Sequence, residues 1–157
     1  MTPRLLANLI ADHGAALVLF ARQWCDCPED AVQDGFCKLA AAAVPDDPAA
    51  WLYRVVRHAA IDAGRSQRRR AIRERTAARS VRWFVEPEID GLDAEAAIAA
   101  LESLPAELRE AIVARLWGGL TLEQLAEMAG CSISTAHRRY EAGIAALRER
   151  LGVECPK

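Results

Sequence analysis

The chain has 157 residues, 52% of them hydrophobic but only 6% aromatic, and a formal net charge of −2. Alanine and leucine dominate over β-branched residues, a helical rather than a sheet profile, and no apolar run approaches the roughly 20 residues that span a bilayer. Net charge alone argues against a nucleic-acid partner, so the distribution of charge along the chain has to decide.

The first predicted helix runs from about Pro3 to Trp24, with Leu5, Leu6, Leu9, Ile10, Leu17 and Phe20 at three- and four-residue intervals. Its start lacks the h-region and cleavage site of a signal peptide, so a cytoplasmic protein without membrane contact of its own is expected. Cys27-Pro28-Glu29-Asp30 then reads as a helix start, with proline in the first turn and two acids at the positive end of the dipole. This second helix extends to about Ala43. Val32, Phe36, Leu39 and Ala43 form its inward stripe, which leaves Asp30, Gln33, Asp34 and Lys38 on other faces.

Asp47-Pro48 supplies a cap and first-turn proline for a third helix. Trp51 to Ala63 keep core spacing, whereas from Arg65 onward almost nothing apolar remains, so the helix should project its arginines into solvent. Residues 54 to 82 hold ten arginines against Asp62 and Glu74, a local charge of +8. Such a block repels itself, and its natural counterpart is a polyanion. Trp51, Tyr53 and His58 just ahead of it add the aromatic and cationic mix that single-stranded DNA binding uses, although Trp51 equally suits a core position.

Residues 77 to 92 carry Pro87 and Gly91, lose helical periodicity and read as a linker, in which Trp83 and Phe84 are expected to dock onto one domain. Residues 83 to 130 carry ten acids against Arg109 and Arg115, a balance of −8. Four more helices follow, over about 93 to 103, 105 to 117, 121 to 129 and 132 to 151. The last two form a helix-turn-helix: Thr121 and Gln124 make a capping box, Gly130 the tight turn, Cys131 and Ile133 plug the corner, and Ser132 caps the second helix. Small hydroxyl residues followed by arginines suit entry into a major groove. The fold expected is all-α: helical domains at residues 1–76 and 93–157 joined by the linker, the second a four-helix helix-turn-helix domain.

Cys25, Cys27, Cys37, Cys131 and Cys155 are an odd number without framework spacing and read as reduced thiols. Convergence of the first three with His13 or His58 would be a weak zinc signal, and neither a metal nor another cofactor is expected. His13, His58 and His137 fall on separate helices and no nucleophile or phosphate-loop motif occurs, so no catalytic residue is assigned.

Pro28 to Phe36, then Trp51 to Ala63 with its arginine tail, resemble the second conserved region of extracytoplasmic-function (ECF) sigma factors of bacterial RNA polymerase. Leu104-Pro105, Leu116 to Thr121, Ala126-Glu127 and Ser134 to Gly143 resemble the family's fourth region. The resemblance implies that Asp30, Gln33 and Asp34 bind core RNA polymerase. It implies that Asp46, Asp47, Trp51, Arg54, Arg57, His58 and Asp62 melt and read the minus-ten element of promoter DNA, with Arg65, Arg68 and Arg69 on phosphates. Ser134, Thr135, Arg138 and Arg139 would read the minus-thirty-five element, and an anti-sigma partner is a common regulator. His58 stands where many relatives carry Asn, which bears on base preference. Glu141 to Ile144 replace further basic residues, which bears on phosphate anchoring. The residues by themselves leave open a dimeric helix-turn-helix repressor and a polymerase-binding adaptor that does not read DNA.

Overall fold

The computed structural model describes residues 2–74 and 94–152. They form seven helices: α1 (Pro3–Ala21), α2 (Pro28–Ala41), α3 (Pro48–Glu74), α4 (Ala94–Glu102), α5 (Ala106–Leu116), α6 (Leu122–Ala129) and α7 (Ile133–Leu151). The linker expected at 77–92, with Trp83 and Phe84, lies outside the described residues, as does Cys155.

Local chemistry fixes most boundaries. The Thr2 hydroxyl accepts from the Leu5 amide to open α1, and Pro28 begins α2 above Glu29 and Asp30. Asp47 caps α3 through Oδ1, 2.9 Å from the Ala50 amide. α2 stops at Ala41, two residues short of expectation, so Ala43 is exposed outside the helix instead of completing its inner stripe. Ala31, Val32, Gly35 and Leu39 form the buried face, with Phe36 half-buried beside them.

α1 corrects one reading of the sequence. Its 19 residues are long and apolar enough to cross a bilayer by length and composition. Leu9, Leu17, Phe20 and Ala21 are nevertheless buried against α2, α3 and α5. That burial accounts for one face of the helix; Leu6, Ile10 and Val18 on another line an open apolar groove shared with Val32, Phe36 and Cys37 of α2.

The α1–α2 turn is pinned onto α3. Gln67 accepts from the Asp26 amide at 3.1 Å and donates to the Cys27 sulfur at 3.1 Å. One helical turn earlier Gly64 lies directly under the Trp24 carbonyl, where a Cβ would overlap the oxygen. The Cys25 thiol points into the core toward the Ala21 carbonyl, and burial pushes its pKa up to about 11, so it stays protonated and inert at neutral pH. Cys37 is exposed. The three N-terminal cysteines therefore do not converge, and no cluster of metal-ligating side chains forms among the described residues.

In the C-terminal half, α7 packs on α4, α5 and α6. Gly143 allows its closest approach to α5, since a Cβ there would press on Ile112 at 2.8 Å. The two halves are docked: α6 packs on α3, α5 packs on α1, and one continuous cluster of buried residues extends from Leu9 to Ala136. Tyr53 sits at this seam, edge-on to Phe20 at 5.2 Å and to His13 at 6.1 Å between centroids. Gly118 leaves room for its hydroxyl, which has no hydrogen-bond partner within the protein. Burial holds that phenol above its ordinary pKa, so it stays neutral. Tyr53→Phe removes an unpaired buried hydroxyl and is expected to raise stability by about 1 kcal/mol, a gain that thermal unfolding followed by circular dichroism would register.

Candidate nucleic-acid and polymerase interfaces

Three groups of side chains expected to carry function occupy separate surfaces. Asp30, Gln33 and Asp34 are all exposed on α2. Gln33 also lines the apolar groove between α1 and α2, and Asp34 is 2.7 Å from Lys38 one turn on. Acidic groups beside an uncovered apolar groove are what a protein-docking face needs.

The second group follows α3 and its entry loop, and here the structure divides what the sequence treats as one surface. His58, Asp62, Arg65, Arg68 and Arg69 are exposed along the outer helix, with Asp62 and Arg65 3.5 Å apart. Asp46 is exposed in the entry loop, and Trp51 is half-buried, packed against the core as well as reaching the surface. Arg54, Arg57 and Asp47 are only partly exposed and face the C-terminal half. The Arg57 guanidinium grips the buried Glu110 carboxylate of α5 with two hydrogen bonds, at 2.5 and 3.2 Å, and lies over the Trp24 ring at 5.9 Å from its centroid. Arg54 reaches to 3.8 Å from Glu127 of α6, and the second Asp47 oxygen accepts from Gln124 of α6 at 2.9 Å. The expectation of solvent-projecting arginines from Arg65 onward holds for Arg65, Arg68, Arg69 and Arg70, which are exposed, whereas Arg54 and Arg57, one and two turns into the core-spaced part of α3, face acids of the C-terminal half.

The third group lies on the helix-turn-helix. Its capping box is complete, with Thr121 and Gln124 exchanging hydrogen bonds of 2.8 and 3.2 Å, and Gly130 takes the left-handed conformation (φ 64°) that turns α6 into α7. Ser132 caps α7 through the Thr135 amide, and its hydroxyl meets that of Thr135 at 2.9 Å, so Thr135 is turned toward its own helix start. Ala136 is buried and Tyr140 half-buried beneath Arg115, whereas Ile133 is 49% exposed and does not plug the corner. Ser134 and Arg138 are exposed. Arg139 is mostly covered and stands 3.5 Å from Glu107 of α5.

Sequence reasoning missed Glu110, which counted only as one acid among ten, and the seam partners Gln23 and Arg109, joined at 3.2 Å. A glycine inside each of two helices, Gly64 and Gly143, was the available sign of close helix packing.

The sequence matches Sigma-70 region 2 over residues 9–70 and Sigma-70 region 4 over residues 100–149. The fold is similar to the sigma factor RpoE from Bartonella quintana, solved with the anti-sigma factor NepR. That match has a TM-score of 0.79 and 25% identity, and covers 98% of this chain and 100% of the other. It is also similar to CnrH, solved with the cytosolic domain of CnrY, with a TM-score of 0.64, 24% identity, and coverage of 98% and 92%. No curated protein matches by sequence. The chain is therefore a sigma-70 type initiation factor, with region 2 ahead of the helix-turn-helix of region 4. Only residues 71–99 separate the two matches, and with the full-length likeness to RpoE this places it in the extracytoplasmic-function family, acting in transcription initiation.

Proposed function

We propose that the chain directs core RNA polymerase to its promoters through a division of labour: residues 1–76 bind polymerase and the minus-ten element, residues 93–157 bind the minus-thirty-five element, and residues 77–92 tether the two. The observation that carries this reading is the coexistence of two features on one small chain: an acidic rim beside an open apolar groove on α2, and a long arginine-rich α3. Asp30, Gln33 and Asp34 meet polymerase. Asp46, Asp47, Trp51, Arg54, Arg57, His58 and Asp62 act on the minus-ten strand, and Arg65, Arg68 and Arg69 contact phosphates. Ser134, Thr135, Arg138 and Arg139 serve the major groove. The protein acts in the cytoplasm as a non-catalytic subunit without a cofactor. Because RpoE was solved with an anti-sigma factor, a protein of that kind is the regulator to look for.

In-vitro transcription with purified core polymerase, on DNA from upstream of the chain's own gene, tests this directly. New start sites that depend on the protein are the expected result, and an absence of both initiation and polymerase binding would refute it. Within that assay Asp30→Ala with Asp34→Ala is expected to weaken polymerase binding about fivefold. Two exposed rim charges contribute roughly 1 kcal/mol together, and a pull-down titration measures the change.

A further inference from the structure

Packing and capping leave α7 only part of its first turns to offer to DNA. Ala136 is buried, Thr135 is tied to the Ser132 cap, Arg139 stands 3.5 Å from Glu107, and Tyr140 lies beneath Arg115. What stays exposed forms two adjoining rows at four-residue spacing: Ser134 with Arg138, and Ile133 with His137 and Glu141. The first row is polar and cationic. The second pairs an aliphatic side chain with a carboxylate, and its chemistry suits different bases.

Ile133 is 49% exposed although it is apolar and directly follows a cap that Ser132 already completes. On a helix that enters a major groove, an aliphatic side chain so placed matches one feature of the base edges, the thymine methyl. Two turns further on, the Glu141 side chain is 59% exposed, and His137 Nε2 stands 3.9 Å from its Oε1, too far for a hydrogen bond. That contact leaves the carboxylate oxygens open to accept.

A carboxylate brings no donor into the groove. It is repelled by phosphates, and it meets acceptors on guanine at O6 and N7 and on thymine at O4. Adenine offers an amino group beside the N7 acceptor, which a carboxylate cannot satisfy. Cytosine presents its N4 amino group without a neighbouring acceptor, so cytosine is the base that a carboxylate there selects.

We propose that Ile133 and Glu141 are specificity-determining residues of the minus-thirty-five interface, Ile133 packing on a thymine methyl and Glu141 accepting from a cytosine amino group. This rests on the reading of α7 as the helix that enters the major groove. The two residues are eight positions apart, about 12 Å along the helix axis. With α7 lying along the groove, their bases fall about three to four base pairs apart, at about 3.4 Å per pair.

The test selects, with holoenzyme, from a library that keeps a mapped promoter intact except for a randomised minus-thirty-five region, and sequences the bound DNA. The wild-type chain is expected to enrich a thymine and a cytosine at that separation. Glu141→Gln should move the second preference from cytosine to adenine by about tenfold, because an amide supplies the donor that adenine N7 accepts. Deoxyuridine in place of the selected thymidine removes only the methyl group. It should weaken wild-type binding about fourfold, the worth of one buried methyl, and weaken Ile133→Ala less than twofold. Both substitutions fall on exposed positions and leave the core intact. A cytosine preference that survives Glu141→Gln overturns the role of Glu141, and an equal deoxyuridine penalty in both chains overturns that of Ile133. Arg138→Ala judges the underlying reading separately. An enriched element that needs Arg138 but ignores Ile133 and Glu141 removes these two residues alone, whereas a library from which no sequence emerges removes α7 as the reading helix and both assignments with it.

Discussion

Gly64→Ala is expected to destabilise the protein by about 3 kcal/mol and to lower its melting temperature by roughly 10 °C, since a chain of this size loses about 2–4 °C per kcal/mol. The sign is opposite to what helix propensity gives. Alanine inside a helix is worth up to about 1 kcal/mol over glycine, and Gly64 is well inside α3. Its Cα, however, faces the backbone of the α1–α2 turn, and an added methyl would overlap the Trp24 carbonyl oxygen and stand 3.1 Å from its carbon. A flexible side chain could rotate away; this carbonyl belongs to a turn that Gln67 holds at both Asp26 and Cys27. Relief requires α3 to move off the turn, which gives up the burial of Cys25 beside Gly64. Gly14→Ala is the internal control. The same methyl there meets only Ile10 Cγ2 at 4.0 Å, so the propensity gain should survive and stability should rise by about 0.5–1 kcal/mol. Thermal and urea unfolding of the two variants measure both numbers, and equal effects would mean that the turn is softer than its hydrogen bonds indicate.

The same pair of glycines shows what the sequence makes legible. Helix positions, the Thr121 and Ser132 caps and the Gly130 turn all depend on neighbours within four residues, and their patterns are written locally. The exposed Arg65, Arg68, Arg69 and Arg70 follow equally from a stretch with little apolar to bury. Arg54 and Arg57 are different. Their partners lie 73 and 53 positions away, and no periodicity connects a cation on one helix with a carboxylate on another. Ile133 misled for a related reason: an apolar residue at a helix start looks like a plug, but Ile133 is 49% exposed and the buried side chains of the two helices are Leu125, Ala126, Met128 and Ala136. Segregated charge did carry one long-range message. A strip of +8 followed by a segment of −8 can satisfy itself within the chain as well as through a polyanion, and the Arg57–Glu110 and Arg54–Glu127 pairs are where it does so internally.

Arg138→Ala is expected to weaken holoenzyme binding to a promoter with an intact minus-thirty-five element by about 10- to 100-fold, the range for removing one well-placed base contact. Arg139→Ala should cost less than threefold. Sequence treats these adjacent arginines alike, and the helix separates them. Arg138 stands exposed on α7 one turn on from Ser134, itself two residues past the Ser132 cap, on the side that a groove can reach. Arg139 is rotated toward α5, 27% exposed and 3.5 Å from Glu107, so its charge is already committed within the half. Thr135, tied to Ser132, should behave like Arg139 in the binding assay. Mobility-shift titrations of holoenzyme on matched probes, one with the element and one with it scrambled, separate specific from general loss. Arg138→Ala should erase the difference between the probes, whereas a lost phosphate contact would weaken both equally and reduce the salt dependence of binding. If Arg139 proves the more sensitive of the two, then α7 must release Glu107 when it enters the groove, and the recognition surface would be assembled on DNA instead of being presented ready-made.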